Sequence, residues 1–300
     1  RDDLMVLQPT TIVHQKPPVY YCLGGVSAMT AACFTHPMDL LKVRLQTSKE
    51  LHLSLLGTMR SIIQVEGLGG FYRGITGGLM REGTYSTVRF GVYQYLKDVA
   101  VERNNGEALP LVQNIALSMF GGAVGGFCGN PADVVNVRMQ ADGRLPPAQR
   151  RNYAHAVDGL VRVSNEEGRG VLMRGVRPNM IRAMLLTSGQ IASYDVFKSF
   201  LMTRVGLHDN IMTHFVASMA AGLVATTACA PMDLVKTRLM NMAHSGTAEA
   251  EYAGAVDCFV KIVRKEGVRG LFKGWTPAYI RLGPQTIITF MTLEQLRKLI

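Results

Sequence analysis

The chain has 300 residues, of which 48% are hydrophobic and 18% charged, and its 32 Lys and Arg outnumber its 22 Asp and Glu to give a formal charge of +10. Apolar residues along the whole length exclude a disordered protein, and the length argues against a single small domain. The charge argues against a bundle whose every face meets lipid. A soluble two-domain protein, a basic nucleic-acid-binding protein and a membrane protein with a polar interior remain.

Six long segments dominate the predicted structure, each about 25–30 residues and so long enough to cross a hydrocarbon core of about 30 Å as a helix. Their individual hydropathy is weak because each holds charges. Short amphipathic helices are predicted between them, for example at His155–Asn165 and Ala255–Lys265. In chain order the long segments are Tyr20–Gln46, Ile75–Val99, Leu111–Gln140, Val176–Thr203, Ile211–Met240 and Thr276–Leu299.

Two motifs recur in the same order in each third of the chain. PMDLLKVRLQ begins at Pro37, PADVVNVRMQ at Pro131 and PMDLVKTRLM at Pro231; EGLGGFYRG, EGRGVLMRG and EGVRGLFKG follow from Glu66, Glu167 and Glu266. Two separated motifs in three copies identify an internal repeat of about 100 residues. We predict an N-terminal tail at 1–16 and repeats at 17–106, 107–206 and 207–300, integrated into one transmembrane domain.

Loop charge predicts an orientation. The three long loops hold fourteen Lys and Arg and the two short connections hold two. The excess places the long loops in the inside compartment, although these loops also contain more residues. An even number of spans then puts both termini on the opposite side.

Three arginines share one depth. Arg81, Arg182 and Arg281 each lie seven residues after the glycine that ends the second motif, about 10 Å into their helices. Such a ring cannot face lipid cheaply and needs water or an anion, for which guanidinium offers two parallel donors. Snorkelling of isolated arginines is the alternative. A further set of unequal polar residues could orient an asymmetric substrate: Arg89, Gln190 and Thr289.

The triple pattern of Pro-x-Asp-x-x-Lys-x-Arg followed by Glu-Gly-x4-aromatic-basic-Gly resembles the mitochondrial carrier family. Segments such as THPMDLLKVRLQ and QRRNYAHAVDGL favour its dicarboxylate-transporting branch, with oxoglutarate carriers and uncoupling-type proton or anion transporters as near neighbours. The resemblance implies an all-α membrane protein with six transmembrane helices in a pseudo-three-fold barrel and three short amphipathic surface helices. It implies alternating access through a water-filled cavity, in the mitochondrial inner membrane, with both termini towards the intermembrane space.

The resemblance implies a matrix gate in which each acid pairs with the basic residue of the next repeat. The implied pairs are Asp133–Lys236, Asp233–Lys42 and a weaker Asp39–Asn136, with Gln46 and Gln140 as braces one turn below. Met240 stands at the third brace position and cannot fill that role. Ordinary pairs within one helix are the alternative, each worth a few tenths of a kcal/mol.

A cytoplasmic gate is implied near the ends of the second helices. Its pairs are Asp195–Arg297, Glu294–Lys97 and a weakened Gln94–Lys198. Terminal charges that meet lipid headgroups are the alternative.

These features favour an antiporter of small dianions, with malate or succinate exchanged for phosphate or another inorganic dianion. No nucleophile–base set, metal cluster or nucleotide loop repeats, so neither an enzyme nor a cofactor is expected. Cardiolipin is implied as a bound lipid at the helix starts after Gly74, Gly175 and Gly274, where backbone donors are free. A nucleic-acid partner is not expected, because the bases alternate with acids at the gate positions, and the chain is expected to be monomeric.

Overall fold

The computed structural model describes residues 19–48, 54–104, 106–107, 109–203, 211–242 and 252–299, so the predicted tail at 1–16 lies outside the described residues. These residues form ten α-helices joined by short 3-10 and π turns. They are α1 Val19–Thr47, α2 Leu55–Glu66, α3 Ile75–Arg103, α4 Leu111–Cys128, α5 Asn130–Asp142, α6 Ala156–Arg162, α7 Val176–Thr203, α8 Ile211–Asn241, α9 Ala255–Gly270 and α10 Trp275–Leu299.

The long helices pack in a closed ring. Helix α1 contacts α3 and α10, α3 continues to α4 and α5, and α7 and α8 complete the circle between α4 and α10. Each repeat contributes two long elements, so the ring has the order of a pseudo-three-fold barrel. The predicted all-α barrel is therefore the observed architecture.

The third long segment differs from its prediction. Instead of one helix over Leu111–Gln140, the chain forms α4 and α5, which meet at Gly129. Pro131 cannot donate a backbone hydrogen bond to the preceding turn, and the Asn130 side chain donates instead to the Leu172 carbonyl at 2.7 Å. The equivalent Pro37 and Pro231 lie inside continuous helices.

The glycine-rich stretch 121–129 serves close helix packing. A Cβ added at Gly125 would lie 3.1 Å from the Tyr85 carbonyl oxygen on α3, and one at Gly122 would lie 3.4 Å from the Ala183 carbonyl oxygen on α7. Glycines on two sides of α4 thus let α3 and α7 approach its backbone together.

The short helices pack against the motif-bearing ends of the long ones. Ser54 caps α2 by accepting a hydrogen bond from the Gly57 amide at 3.0 Å. Ile62 of α2 is buried against Leu40 and Leu41, and Ile262 of α9 is buried in the equivalent cluster of the third repeat. Each such isoleucine contributes about 2–3 kcal/mol. The opposite faces of these helices are exposed, as an amphipathic surface position requires.

Polar and charged residues lie inside the ring, and large apolar residues lie on its outer face. Arg138, Gln140 and Asp133 are at most 2% exposed, whereas Phe34 on the outer face of the ring is 67% exposed. Among the described residues, two helices, over Leu111–Cys128 and Val216–Asn241, are apolar enough to cross a membrane by composition alone. The other long helices carry charges that turn into the ring, which suits a barrel with a polar interior in lipid.

Three glycines fix the seams between repeats. Gly74, Gly175 and Gly274 precede the second long helix of each repeat, and all have φ between 74° and 79°. A Cβ at Gly74 would lie 3.0 Å from the Met139 Cβ of the next repeat. Only glycine combines the left-handed backbone with that close approach.

We expect Gly74→Ala to lower stability more than Gly106→Ala, because both positions have positive φ but only Gly74 abuts a neighbouring repeat. The backbone term should cost about 1–2 kcal/mol at a left-handed position, and the contact should add about 1–3 kcal/mol at Gly74. Thermal unfolding of detergent-purified protein measures both. Gly69→Ala, in open space, is the control, and equal losses at Gly106 and Gly74 would contradict the seam argument.

Candidate anion-binding site

Two ion pairs join neighbouring repeats at the end of the barrel that bears the Pro-x-Asp motifs. Lys42 Nζ lies 2.6 Å from Asp233 Oδ2, and Lys236 Nζ lies 3.0 Å from Asp133 Oδ2. All four residues lie on the first long elements, just after the prolines. The structure thus brings together both charged pairs predicted for the matrix gate.

The third predicted pair, Asp39–Asn136, does not form among the described contacts. Asp39 pairs with Arg281, and Arg81 Nη2 lies 3.8 Å away. Asn136 instead accepts a hydrogen bond from Gln140 Nε2 at 2.8 Å. The neutral amide of Asn136 cannot balance the buried carboxylate of Asp39. Arg281 of α10 therefore pairs with Asp39, because position 136 has no lysine.

Of the two predicted braces, Gln140 contacts a gate residue directly and Gln46 contacts a neighbour of one. Gln46 accepts a hydrogen bond from Thr237 Oγ1 at 2.8 Å and makes no described contact with the adjacent Lys42–Asp233 pair. Thr237 lies one turn after Asp233, and its Oγ1 is also within hydrogen-bond distance of the Asp233 carbonyl, at 2.7 Å. Gln140 supports Asn136, and Met240, which has no hydrogen-bonding amide, is fully buried in an apolar cluster.

The three ring arginines point towards the gate acids. Arg182 Nε lies 3.4 Å from Asp233 Oδ1, and Arg81 Nε lies 3.9 Å from Asp133 Oδ1. With Arg281 on Asp39, every ring arginine reaches the acid of the following repeat. The sequence argument that the ring needs water or an anion was therefore incomplete, because protein carboxylates supply much of the counter-charge.

Several buried donors around this ring have no hydrogen-bond partner among the described residues. They are Arg81 Nε, Arg182 Nε and the Tyr85 hydroxyl. The Tyr85 ring lies between two guanidinium groups, 6.0 Å from that of Arg182 and 5.9 Å from that of Arg89. Both Nε atoms lie close to a gate carboxylate, at 3.4 and 3.9 Å, but make no hydrogen bond to it, so they can still donate to the oxygens of a ligand.

The further set of Arg89, Gln190 and Thr289, which we call the upper polar set, has members of unequal charge, as the sequence predicts. Arg89 Nη2 donates to Thr187 Oγ1 at 3.2 Å and so links α3 to α7. Gln190 and Thr289 occupy the equivalent positions on α7 and α10 and are half-buried. Only one of the three positions carries charge.

The predicted cytoplasmic gate is described only in part. Gln94 Nε2 donates to Asp98 Oδ1 at 2.7 Å within α3, and Lys97 Nζ lies 5.8 Å from the centre of the Tyr93 ring. The side chains of Asp195, Glu294 and Arg297 lie outside the described residues. The pairs predicted with those residues, and the contact of Gln94 with Lys198, stay predictions.

Three further arginines were missed as functional residues, although the motif repeats them. Arg44 is fully paired with Glu66, at 2.5 and 2.9 Å, and its Nε donates to the Gln140 carbonyl of the next repeat at 3.3 Å. Arg138 bridges Glu167 and the Met240 carbonyl in the same way, and Arg238 bridges Glu266 and the Gln46 carbonyl. Strict recurrence of Arg and Glu in both motifs was the available signal.

These pairs stabilise the ionised glutamates. Burial raises the pKa of the Glu167 carboxyl, but the hydrogen bond and charge of Arg138 outweigh burial and hold that pKa below its ordinary value of 4.5. The pKa of Glu66 is lowered in the same way by Arg44 and Arg73. The pairs therefore contribute stability near neutral pH that acid removes.

A cavity of 390 Å³ lies at the start of α3. Its lining comes from the Gly74 turn and from the chain that leads into α6: Tyr72, Arg73, Gly74, Ile75, Thr76, Met139, Asp142, Asn152, Tyr153 and Ala154. Among these, Arg73 carries a positive charge and the first amides of α3 lack helical acceptors. The cavity lies where the lipid site after Gly74 is predicted, its lining also includes the Asp142 carboxylate, and the lipid site stays a prediction.

Comparison with known proteins yields one family. The family profile described as "Mitochondrial carrier protein" matches residues 13–104, 107–205 and 207–300. A protein from Aspergillus niger named "Mitochondrial citrate transporter F" is 45% identical over 280 residues, which cover 93% of this chain and 89% of the relative.

Two other relatives are similarly close. The Caenorhabditis elegans "Mitochondrial dicarboxylate carrier" is 44% identical and covers 91% of each chain. The mouse "Mitochondrial 2-oxoglutarate/malate carrier protein" is 42% identical, over 93% of this chain and 90% of its own. Relatives with different named substrates thus have almost equal identity, so substrate charge must be argued from the site.

We expect Glu167→Gln to destabilise the protein by about 2–3 kcal/mol, because it leaves Arg138, which is 0% exposed, without its charged partner. The neighbouring Glu166→Gln is the matched control. Glu166 is 58% exposed and pairs with Arg162 on the surface, so its loss should cost less than about 0.5 kcal/mol.

The pH profile separates a charge effect from a packing effect. The parent should start to lose stability as pH falls below 4.5, the ordinary pKa that Glu167 has in the unfolded chain, and the loss should continue down to the lower pKa of Glu167 in the folded protein. Glu167→Gln should lack that part of the loss. Thermal unfolding in detergent between pH 7 and about pH 3 measures both proteins. Parallel profiles would show that the pair does not contribute through its charge.

Proposed function

Because this chain belongs to the mitochondrial carrier protein family, we propose that it is an alternating-access antiporter of small dianions in the mitochondrial inner membrane. Dicarboxylates such as malate and succinate are the proposed organic substrates, exchanged for phosphate or another inorganic dianion. Transport of this kind moves the solute without covalent chemistry. The named substrates of the dicarboxylate and oxoglutarate/malate relatives support this class.

One observation carries the proposal: the arginine ring is buried, is ion-paired with the gate acids and still has donors that make no hydrogen bond. Arg81 and Arg182 each keep a buried Nε without a hydrogen-bond partner among the described residues. Two carboxylates at the ends of a short dicarboxylate can each accept two parallel donors from an arginine. Phosphate offers similar oxygens on a more compact dianion, so one ring accommodates both.

The arrangement couples binding to opening of the gate. In the described state, Asp39, Asp133 and Asp233 attract the ring arginines. A dianion bound to the ring competes with those acids and so weakens the contacts between the ring and the matrix gate. The bound substrate thereby lowers the barrier between the two states of the carrier, which favours exchange over net flow.

A related substrate is the alternative. A carrier of oxoglutarate would use the same ring, because oxoglutarate is also a short dianion, and the mouse relative supports this reading. An uncoupling-type proton or anion transporter is the further alternative from the sequence. Exchange of labelled malate for phosphate or oxoglutarate, measured together with proton leak, separates the three.

We also propose the surroundings of the carrier. Both termini face the intermembrane space and the motif-bearing end faces the matrix, as the loop charges suggest. Cardiolipin is the proposed lipid of the Gly74 cavity, where Arg73 and the first amides of α3 can bind its phosphates. A monomer suffices for transport, because one chain closes the ring. No nucleic-acid partner is proposed, since the ring arginines face the interior.

We expect Arg182→Ala to abolish malate–phosphate exchange in liposomes, because it removes one of the three guanidiniums at the ring. Arg177→Ala is the matched control, since Arg177 lies on the same helix but is exposed. Retained exchange by the Arg177 variant together with loss at Arg182 assigns the effect to the ring. Normal malate uptake by Arg182→Ala would reject the site.

We expect Asn136→Lys to slow exchange several-fold, because a lysine there can pair with Asp39 and add a third ion pair to the closed matrix gate. Turnover of labelled malate at saturating concentration is the readout, with protein content of the liposomes as the reference. Unchanged turnover would show that this gate position does not limit the cycle.

A further inference from the structure

A fourth carboxylate lies in the arginine ring and belongs to none of the gate pairs. Glu82 follows Arg81 on α3 and is 6% exposed. Its Oε1 pairs directly with Arg81 Nη2, and its Oε2 accepts a hydrogen bond from Ser86 Oγ at 3.2 Å. One carboxylate oxygen of Glu82 therefore contacts the arginine ring, and the other contacts a side chain one turn further along α3.

The position breaks the three-fold pattern. The ring arginines of the other repeats are followed by Ala183 and Leu282, both apolar. A carboxylate is thus not required for packing at this place in the barrel. A buried charge is costly unless it is paired, so the presence of Glu82 on one repeat only calls for an electrostatic role.

The charge of the central layer follows from its members. We define this layer as the ring, the matrix gate, the upper polar set of Arg89, Gln190 and Thr289, and the carboxylate that pairs with the ring. Six cations belong to it among the described residues, namely Lys42, Lys236, Arg81, Arg89, Arg182 and Arg281. Four carboxylates oppose them, namely Asp39, Glu82, Asp133 and Asp233. Six cations less four carboxylates leave these ten groups with a net charge of +2.

We propose that Glu82 is a specificity-determining residue that sets this charge at +2 and so matches the site to a dianion. When the carrier closes around its substrate, water is excluded, and any residual charge in the layer raises the energy of the occluded state. A dianion brings the layer to zero. Without Glu82 the layer would carry +3 and would favour a trianion such as a tricarboxylate.

Glu82 acts through Arg81 and not as a direct ligand. Its carboxylate shares that guanidinium with Asp39 and Asp133, which lie 3.8 and 3.9 Å away. It thereby reduces the positive field that Arg81 presents to the substrate while leaving the donors of Arg182 and Arg281 unaffected. The inference rests on the proposed function for its substrate class, but the charge preference can be measured by binding alone.

The test compares malate with citrate, two hydroxy acids that differ by one carboxylate. Dissociation constants come from thermal stabilisation of the purified full-length protein at pH 8, where citrate carries its third charge. The parent should bind malate more tightly. Glu82→Gln should shift the ratio of the two constants towards citrate by about tenfold, the scale of one unit charge at short range. Glu82→Asp, which keeps the charge, should retain the parent ratio.

Two results would overturn the inference: a parent-like ratio in Glu82→Gln, or an equal shift in Glu82→Gln and Glu82→Asp. If Glu82→Gln does not unfold cooperatively, Asn136→Lys replaces it as the test variant. Asn136→Lys also raises the charge of the layer by one, so it must shift the ratio of the two constants towards citrate. Parallel exchange assays in liposomes keep the two proposals apart. A parent that binds malate but exchanges none would refute the antiporter, while the binding ratio would still decide the role of Glu82.

Discussion

The structure depends on one constraint, which is that the three gate acids inside the barrel find their counter-charges on neighbouring repeats. Asp133 and Asp233 take lysines from other repeats, and Asp39 takes Arg281 across the seam between the third repeat and the first. None of these pairs closes within one repeat. Assembly of the ring and neutralisation of its interior are therefore the same event, and an isolated repeat would leave buried charges unpaired.

A second layer of arginines makes the seams specific. Arg44, Arg138 and Arg238 each hold a glutamate of their own repeat and a backbone carbonyl of the next. Each arginine thus binds a main-chain carbonyl of the next repeat, and this carbonyl is present whichever residue occupies the position. Gln46, Gln140 and Met240 all fill that carbonyl position, which explains how the third repeat tolerates a methionine.

Repetition made much of this molecule predictable. Motifs in three copies located the six long segments and the ring arginines, because a side chain that recurs at one depth has few physical explanations. The two inter-repeat ion pairs were implied by the resemblance to mitochondrial carriers. The failures occur where the symmetry breaks. Two features depend on contacts between residues that lie far apart in the sequence: the helix interruption at Gly129 and the choice of partner for Asp39. The spacing of residues along one repeat contains no information about such contacts.

Glu82 escaped the sequence argument for a related reason. A comparison of the three repeats selects the residues that they share. Glu82 is present in one repeat only, so such a comparison treats it as ordinary variation. Its contact with Arg81 becomes visible only when the helix is folded and the guanidinium turns back towards its own chain neighbour. The same holds for the orphaned donors around Tyr85, whose lack of partners is a property of packing and not of residue type.

The lone carboxylate also changes how a ligand can lie. A ring of three identical arginines offers a rod-shaped molecule three equivalent orientations, related by rotation through a third of a turn. Glu82 beside Arg81, with Arg89 above it on the same helix, makes one corner of the triangle chemically distinct. The orientations then differ in energy, and the rotational degeneracy of the cavity is lifted. A molecule with unlike ends, such as malate, thereby acquires a defined head and tail within a frame that is otherwise nearly three-fold.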